Sequence, residues 1–410
     1  MSSQSQRTMN LIVALAAYTA TFWAWNLVGP LAMRYAADLE LEPTQVSMLV
    51  ATPVIVGSVG RILTGALTDR FGGRVMLTAL SAISAIPVVL VLWAGEVGSY
   101  PLLLAFGFLL GIAGTTFAVG IPFVNAWYDS NRRGFATGLF GAGMGGTALS
   151  SFCTPRMVSS LGYQSTHLIM ATALVLGAVA CWVWLRDAPG WKPSRTPVLP
   201  KLVAAARLPI AWHMAVLYAV IFGGFVAFST YLPTYLNNVY GYDLTDAGSR
   251  TAGFALAAVL ARPIGGWLSD RWGPSRVIVL SLGTAAIGAV VVALKPPPEI
   301  AAGAAFLWLA AALGLGSGAV FTWVAQRSPA AQVGSVTGIV GAAGGLGGYF
   351  PPLVMGATYD PVTQSYLTGL LLLAVTTAGT LLFTLVLSQL YRTQDRLAEG
   401  AEPAHGPTPD

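Results

Sequence analysis

Apolar residues fall into about twelve runs separated by short polar breaks, at 10–33, 45–68, 74–94, 100–127, 134–158, 165–186, 212–238, 246–268, 276–295, 300–324, 334–356 and 367–391. Each run is close to the length a helix needs to cross a hydrocarbon layer of ~30 Å. Backbone groups in such a layer must pair within their own segment, so the pattern predicts an all-α integral membrane protein with twelve transmembrane helices. The longest polar interruption divides the runs six and six. The expected organisation is therefore an amino-terminal six-helix bundle over 1–186, a cytoplasmic linker over 187–211 rich in proline and basic residues, a carboxyl-terminal six-helix bundle over 212–392, and a tail over 393–410 whose Ala, Glu, Pro and Gly predict disorder.

The two halves repeat each other. GRILTGALTDRFG from Gly60 aligns with ARPIGGWLSDRWG from Ala261, and GFATGLFGAGMGG from Gly134 aligns with GSVTGIVGAAGGL from Gly334. The first alignment pairs Arg61 with Arg262, Asp69 with Asp270 and Arg70 with Arg271. Pseudo-symmetric bundles joined by a cytoplasmic linker are the architecture of many secondary transporters, whose substrate sites lie at the midplane between the halves.

Composition agrees with a membrane solvent: 55% of residues are hydrophobic and 9% charged, with a mean hydropathy of +0.69. With the amino terminus inside, 15 of the 21 Lys and Arg residues fall on the cytoplasmic side and four, Arg34, Arg156, Arg250 and Lys295, on the other. Both termini are thus expected in the cytoplasm. The net charge of +5 then reflects topology, and nucleic-acid binding is not expected. The first run is too long for a signal-peptide core and no small-residue cleavage site follows, so it is expected to be retained. Cys153 and Cys181 read as packing residues, and no spacing of ligands suggests a metal site or a cofactor.

Arg61 and Arg262 are the two cations left inside predicted spans. Arg61 stands eight residues before the end-of-span Asp69, about 12 Å along the helix, too deep to snorkel easily. Buried cations are normally paired, yet every acidic residue falls in a loop, at a span end or in the tail. The missing counter-charge is most simply the substrate, an anion. Guanidinium is planar, permanently charged and forked, which suits a planar oxyanion.

GALTDRFGGR and GWLSDRWGPSR resemble the loop signatures of the major facilitator superfamily. VGRILTGALTDRFGGR, FGGFVAFSTYLP and GIVGAAGGLGGYFPP resemble more closely its nitrate/nitrite porter family, and the resemblance covers essentially the whole membrane portion. It implies a transporter of nitrate, nitrite or both, with no cofactor. It also implies that aromatic residues sandwich the ion, at the matching positions Phe117, Tyr218 and Phe222. One departure stands out: the family usually carries Asn near the middle of its span-five glycine stretch, and this chain has Met144 there, with Phe140 one turn before.

Gly138, Gly141, Gly143, Gly145 and Gly146 crowd span five, and Gly338, Gly341, Gly344, Gly345, Gly347 and Gly348 crowd span eleven. Bare backbones let helices approach closely and slide, as alternating access requires. Neither stretch ends in the Lys-Ser/Thr of a phosphate loop. Asp69 with Arg70, and Asp270 with Arg271, are expected to form cytoplasmic gates, with Arg132 and Arg133 as further partners. His167 and His213, near span ends, are expected at the interfaces.

No carboxylate or histidine stands in mid-span, so two coupling modes remain open: exchange of one anion for another, and proton symport. FGGFVAFSTYLP looks more like the assimilatory, symporting members, which favours symport. Competing readings are a transporter of a small organic anion and a membrane sensor built on a transporter scaffold. An enzyme is not expected, because no nucleophile–base or metal constellation is present. The expected setting is the cell (inner) membrane, with the protein a monomer in the bilayer.

Overall fold

The computed structural model describes residues 3–128, 136, 139–193, 198–329 and 333–401. Among these the chain is helical apart from turns, loops and one isolated bridge between Asp360 and Ser365. Eleven helices are long and apolar enough to cross a membrane. The fifth run is the twelfth helix: it is described from residue 139 as a 3-10 turn, Ala142–Gly145, leading into Gly146–Leu161.

Spans one to six pack mainly among themselves, as do seven to twelve. The halves meet where span two, Pro43–Phe71, packs on span eleven, Val333–Gly347 continued by Phe350–Ala357. They meet again where span five packs on span eight, Leu244–Trp272, and where span one, Ser3–Trp25 with its extension Ala32–Leu39, meets span seven, Pro209–Tyr240. The sequence repeat survives in the turns. Gly72 and Gly273, which end spans two and eight, have φ of +85° and +82°, a region costly for any residue with a Cβ.

Two boundaries differ from the sequence-based expectation. The last helix, Leu367–Ala401, continues past residue 392, so 393–401 is helical where disorder was expected. Gln394 to Leu397 are compatible with helix, and Asp395 accepts from Arg327 Nη1 at 2.7 Å with its second oxygen on Nη2, which ties the extension to span ten. Residues 402–410 lie outside the described residues. The linker is also partly ordered: it holds a helix, Val198–Ala206, and span seven starts at Pro209 rather than 212.

Candidate functional site

Span two places Arg61 inward, 5% exposed. Its Nε donates to the Gly114 carbonyl at 3.3 Å, and its Nη1 crosses to the other half, donating to the Gly341 carbonyl at 3.3 Å. Arg262, on span eight, is half-buried. Its Nη2 donates to the Tyr218 hydroxyl at 3.2 Å, and its Nη1 lies 2.9 Å from the Met144 sulfur, again across the halves. The residue that stands where the family pattern expects Asn is therefore in contact with the site, through a soft and weak acceptor.

One ring links the two cations. The Phe222 centroid is 6.0 Å from Cζ of Arg61 and 5.9 Å from Cζ of Arg262. Each guanidinium also faces a ring of its own, Phe117 at 5.5 Å from Arg61 and Phe321 at 5.7 Å from Arg262. Aromatic faces stabilise desolvated cations by up to about 2 kcal/mol, which offsets part of the cost of burying them. Tyr218 stacks on Phe222 with centroids 4.8 Å apart and planes within 3°. All five residues expected at the anion site are thus gathered around one point.

Among the described residues no carboxylate pairs with either arginine. Ion pairs among the described residues, Arg34–Asp38, Arg250–Glu299 and Arg327–Asp395, stand at span ends. The groups that accept from the two arginines, the Gly114 and Gly341 carbonyls, the Met144 sulfur and the Tyr218 hydroxyl, are all uncharged, so the positive charge of the site is not neutralised among the described residues.

The glycines divide by role. A Cβ on Gly143 would collide with Tyr18, and one on Gly344 with Tyr218, so these glycines back the two rings. Gly146 lies against the Thr19 carbonyl, Gly347 against that of Ala219, Gly345 against Ser58 in the other half, and Gly348 against Val226. Gly141, Gly145, Gly338 and Gly341 face open space. Gly138 lies outside the described residues.

The expected gates are not assembled by the described side chains. Arg70, Asp270 and Arg271 are exposed at helix ends, where Arg70 lies over the Phe71 ring and Arg271 over the Trp267 ring. The side chain of Asp69, and Arg132 and Arg133 altogether, lie outside the described residues. Asp187, which the sequence did not single out, instead accepts from the Arg74 backbone N–H at 3.1 Å and so caps span three. His213 is half-buried and bonded to the Tyr391 hydroxyl at 2.8 Å. His167 is fully buried near the start of span six, with Nδ1 2.9 Å from the Tyr163 carbonyl one turn before it, and span three packs over span six.

Sequence reasoning also missed Tyr18 and Phe22 on span one. Tyr18 is wholly buried, stacked on Phe140 at 4.7 Å, and 5.9 Å from the Phe117 ring that faces Arg61. The signal was present in the repeat, since Y18-TAT-F22 matches Y218-AVI-F222 at the same spacing. Two grooves lie instead on the flanks, one between spans seven, eleven and twelve and one between spans one, five and six; both are apolar and neither is lined by a charged residue.

Comparison with known proteins gives a consistent set. The sequence model of the Major Facilitator Superfamily matches residues 14–352. The "Probable nitrate/nitrite transporter NarK2" of Mycobacterium tuberculosis is 61% identical over 367 residues, 90% of this chain and 93% of that protein. The "Nitrite extrusion protein" of Bacillus subtilis is 33% identical over 87% of this chain and 88% of its own length. The "Probable nitrate/nitrite antiporter NarK1" of Thermus thermophilus is 32% identical over 84% and 83%. Among solved structures, an inward-facing, unoccupied bacterial homologue of the human lysosomal transporter Spinster superposes with a TM-score of 0.69 at 20% identity, covering 95% of this chain and 97% of that one. At that identity the likeness concerns the fold.

Proposed function

Because the chain belongs to the nitrate/nitrite porter family of the major facilitator superfamily, we propose that it moves nitrate and nitrite across the cell (inner) membrane by alternating access, with the anion held between Arg61 and Arg262. The observation that carries this reading is the pair of arginines, one from each half, sharing the Phe222 ring and lacking a carboxylate partner among the described residues. Phe117, Phe222 and Phe321 form apolar walls that exclude water and strengthen each charge-assisted hydrogen bond.

The proposed cycle follows from charge. Without an anion, Arg61 and Arg262 repel across the interface, and drawing the halves together around them is unfavourable. A bound anion reverses the sign of that interaction and lowers the cost of switching. One chain contains both halves of the site, so a monomer is the proposed working unit. The loop counts of Lys and Arg support cytoplasmic termini. Coupling is proposed as proton symport, with exchange as the alternative outcome of the same experiment.

That experiment is uptake of isotope-labelled nitrate into proteoliposomes, with and without trapped nitrite and with a pH gradient on or off, for wild type, Arg61→Lys and Arg262→Lys. Lysine keeps the charge and loses the planar fork, so uptake should fall about 30- to 160-fold in each variant, the loss of a hydrogen bond of about 2–3 kcal/mol to a charged group. Uptake that follows the pH gradient supports symport, and uptake that requires trapped nitrite supports exchange. Absence of wild-type nitrate flux in every condition would move the organic-anion reading to first place.

A further inference from the structure

The pseudo-twofold repeat extends to residues that neither family resemblance nor charge brought forward. Tyr18 and Phe22 stand 200 positions before Tyr218 and Phe222. Their surroundings match as well. Gly143 backs the Tyr18 ring as Gly344 backs the Tyr218 ring, Gly146 meets the Thr19 carbonyl as Gly347 meets that of Ala219, and Phe117 contacts Tyr18 as Phe321 contacts Tyr218. Each half therefore carries an arginine, a phenol and a phenylalanine in the same relation.

The two phenols differ in stacking, Tyr218 lying on Phe222 and Tyr18 on Phe140, and in hydrogen bonding. The Tyr218 hydroxyl accepts from Arg262, whereas the Tyr18 hydroxyl, fully buried, has no hydrogen-bond partner among the described residues. The Tyr18 ring is 5.9 Å from that of Phe117, which itself faces the Arg61 guanidinium at 5.5 Å. An orphan hydroxyl in a dry site is unfavourable unless something else fills its valence. The charged groups of this site are the guanidiniums of Arg61 and Arg262, which attract an anionic acceptor to which a buried O–H beside them can donate.

We propose that Tyr18 is the second phenol of the anion site, its hydroxyl donating to the bound oxyanion from the amino-terminal half as Tyr218 serves it from the carboxyl-terminal half. This inference rests on the nitrate/nitrite reading above and names a further substrate-contacting residue for it. Its consequence is a site with four donor groups, two guanidiniums and two phenols, arranged in symmetric pairs. Each half then keeps a hold on the anion as the halves move relative to each other, and the absence of Asn at Met144 leaves the ion with phenol donors in its place.

The test is Tyr18→Phe in the full-length protein, which keeps the ring and its stacking on Phe140 and removes only the oxygen. Nitrate uptake into proteoliposomes gives KM, and nitrate-dependent thermal stabilisation in detergent reports binding without turnover. The expected result is a KM about 10-fold or more above wild type, a low-end value for a hydrogen bond to a charged group. The nitrate-induced stabilisation should shrink to match, while the anion-free melting temperature stays level or rises because an unsatisfied hydroxyl has gone. Wild-type flux with a Tyr18→Phe KM and thermal shift within about twofold of wild type would overturn this inference alone. A wild type that neither transports nitrate nor is stabilised by it would overturn the porter reading and this inference with it.

Discussion

An arginine at the centre of a membrane helix costs on the order of 2.5–3.5 kcal/mol on insertion scales, and the chain carries one in each half. Backbone carbonyls of Gly114 and Gly341 take up part of that cost for Arg61. Gly344 acts one step removed, since any Cβ there meets the Tyr218 ring. Gly344→Ala is therefore expected to push Tyr218 off Arg262, raise the nitrate KM about 10-fold and lower stability by about 1–3 kcal/mol, the usual range for overpacking. Uptake kinetics and a melting curve check both numbers, and an unchanged KM would show that the ring position does not matter.

At the scale of elements, spans five and eleven carry glycines of two kinds. Gly143, Gly146, Gly344 and Gly347 are required by contacts in this state, while Gly141, Gly145, Gly338 and Gly341 face open space and have no such requirement. If spans five and eleven approach other helices in the opposite state, the second group is where the approach occurs. Gly141→Ala and Gly338→Ala should then leave thermal stability unchanged and slow uptake roughly fivefold or more, about 1 kcal/mol on the switching barrier. Wild-type uptake rates in both would show that these glycines are passive. The spans and the arginine pair were legible because polarity in an apolar run is conspicuous and the loop motifs fix the repeat. Tyr18 was not, because a tyrosine among alanines and threonines carries no contrast, and its meaning comes from a distant arginine. The Asp187 cap and the helix at 393–401 were hidden for the same reason: each depends on a tertiary partner, Arg74 and Arg327 respectively, and the burial of His167 depends on span three packing over span six.

At the scale of the molecule, the halves are drawn together at the end away from the termini. There Arg156 Nη2 donates to Ser249 Oγ at 2.7 Å across the interface, a Cβ on Gly29 would stand 2.7 Å from the Thr230 carbonyl, and Gly248 and Gly356 lie hard against Ser151 and Ser47. At the other end the described parts of Arg70, Asp270 and Arg271 are exposed and make no contact between halves. With the cytoplasmic termini proposed above, the end drawn together is the outer one. Gly248 is the sharpest test of that closure, because it touches a backbone carbonyl, which cannot rotate away as a side chain can. Gly248→Trp should hold that end apart and bias the protein against the state seen here. The anion site itself, formed by other residues, would be left intact. Nitrate should therefore still stabilise the variant thermally, while uptake falls about 10-fold or more, as expected when one of two alternating states is penalised by about 1.4 kcal/mol. If uptake by Gly248→Trp matched wild type, close approach at that end would not be a step of the cycle; if nitrate stabilisation vanished as well, the interface and the anion site would be one structural unit rather than two.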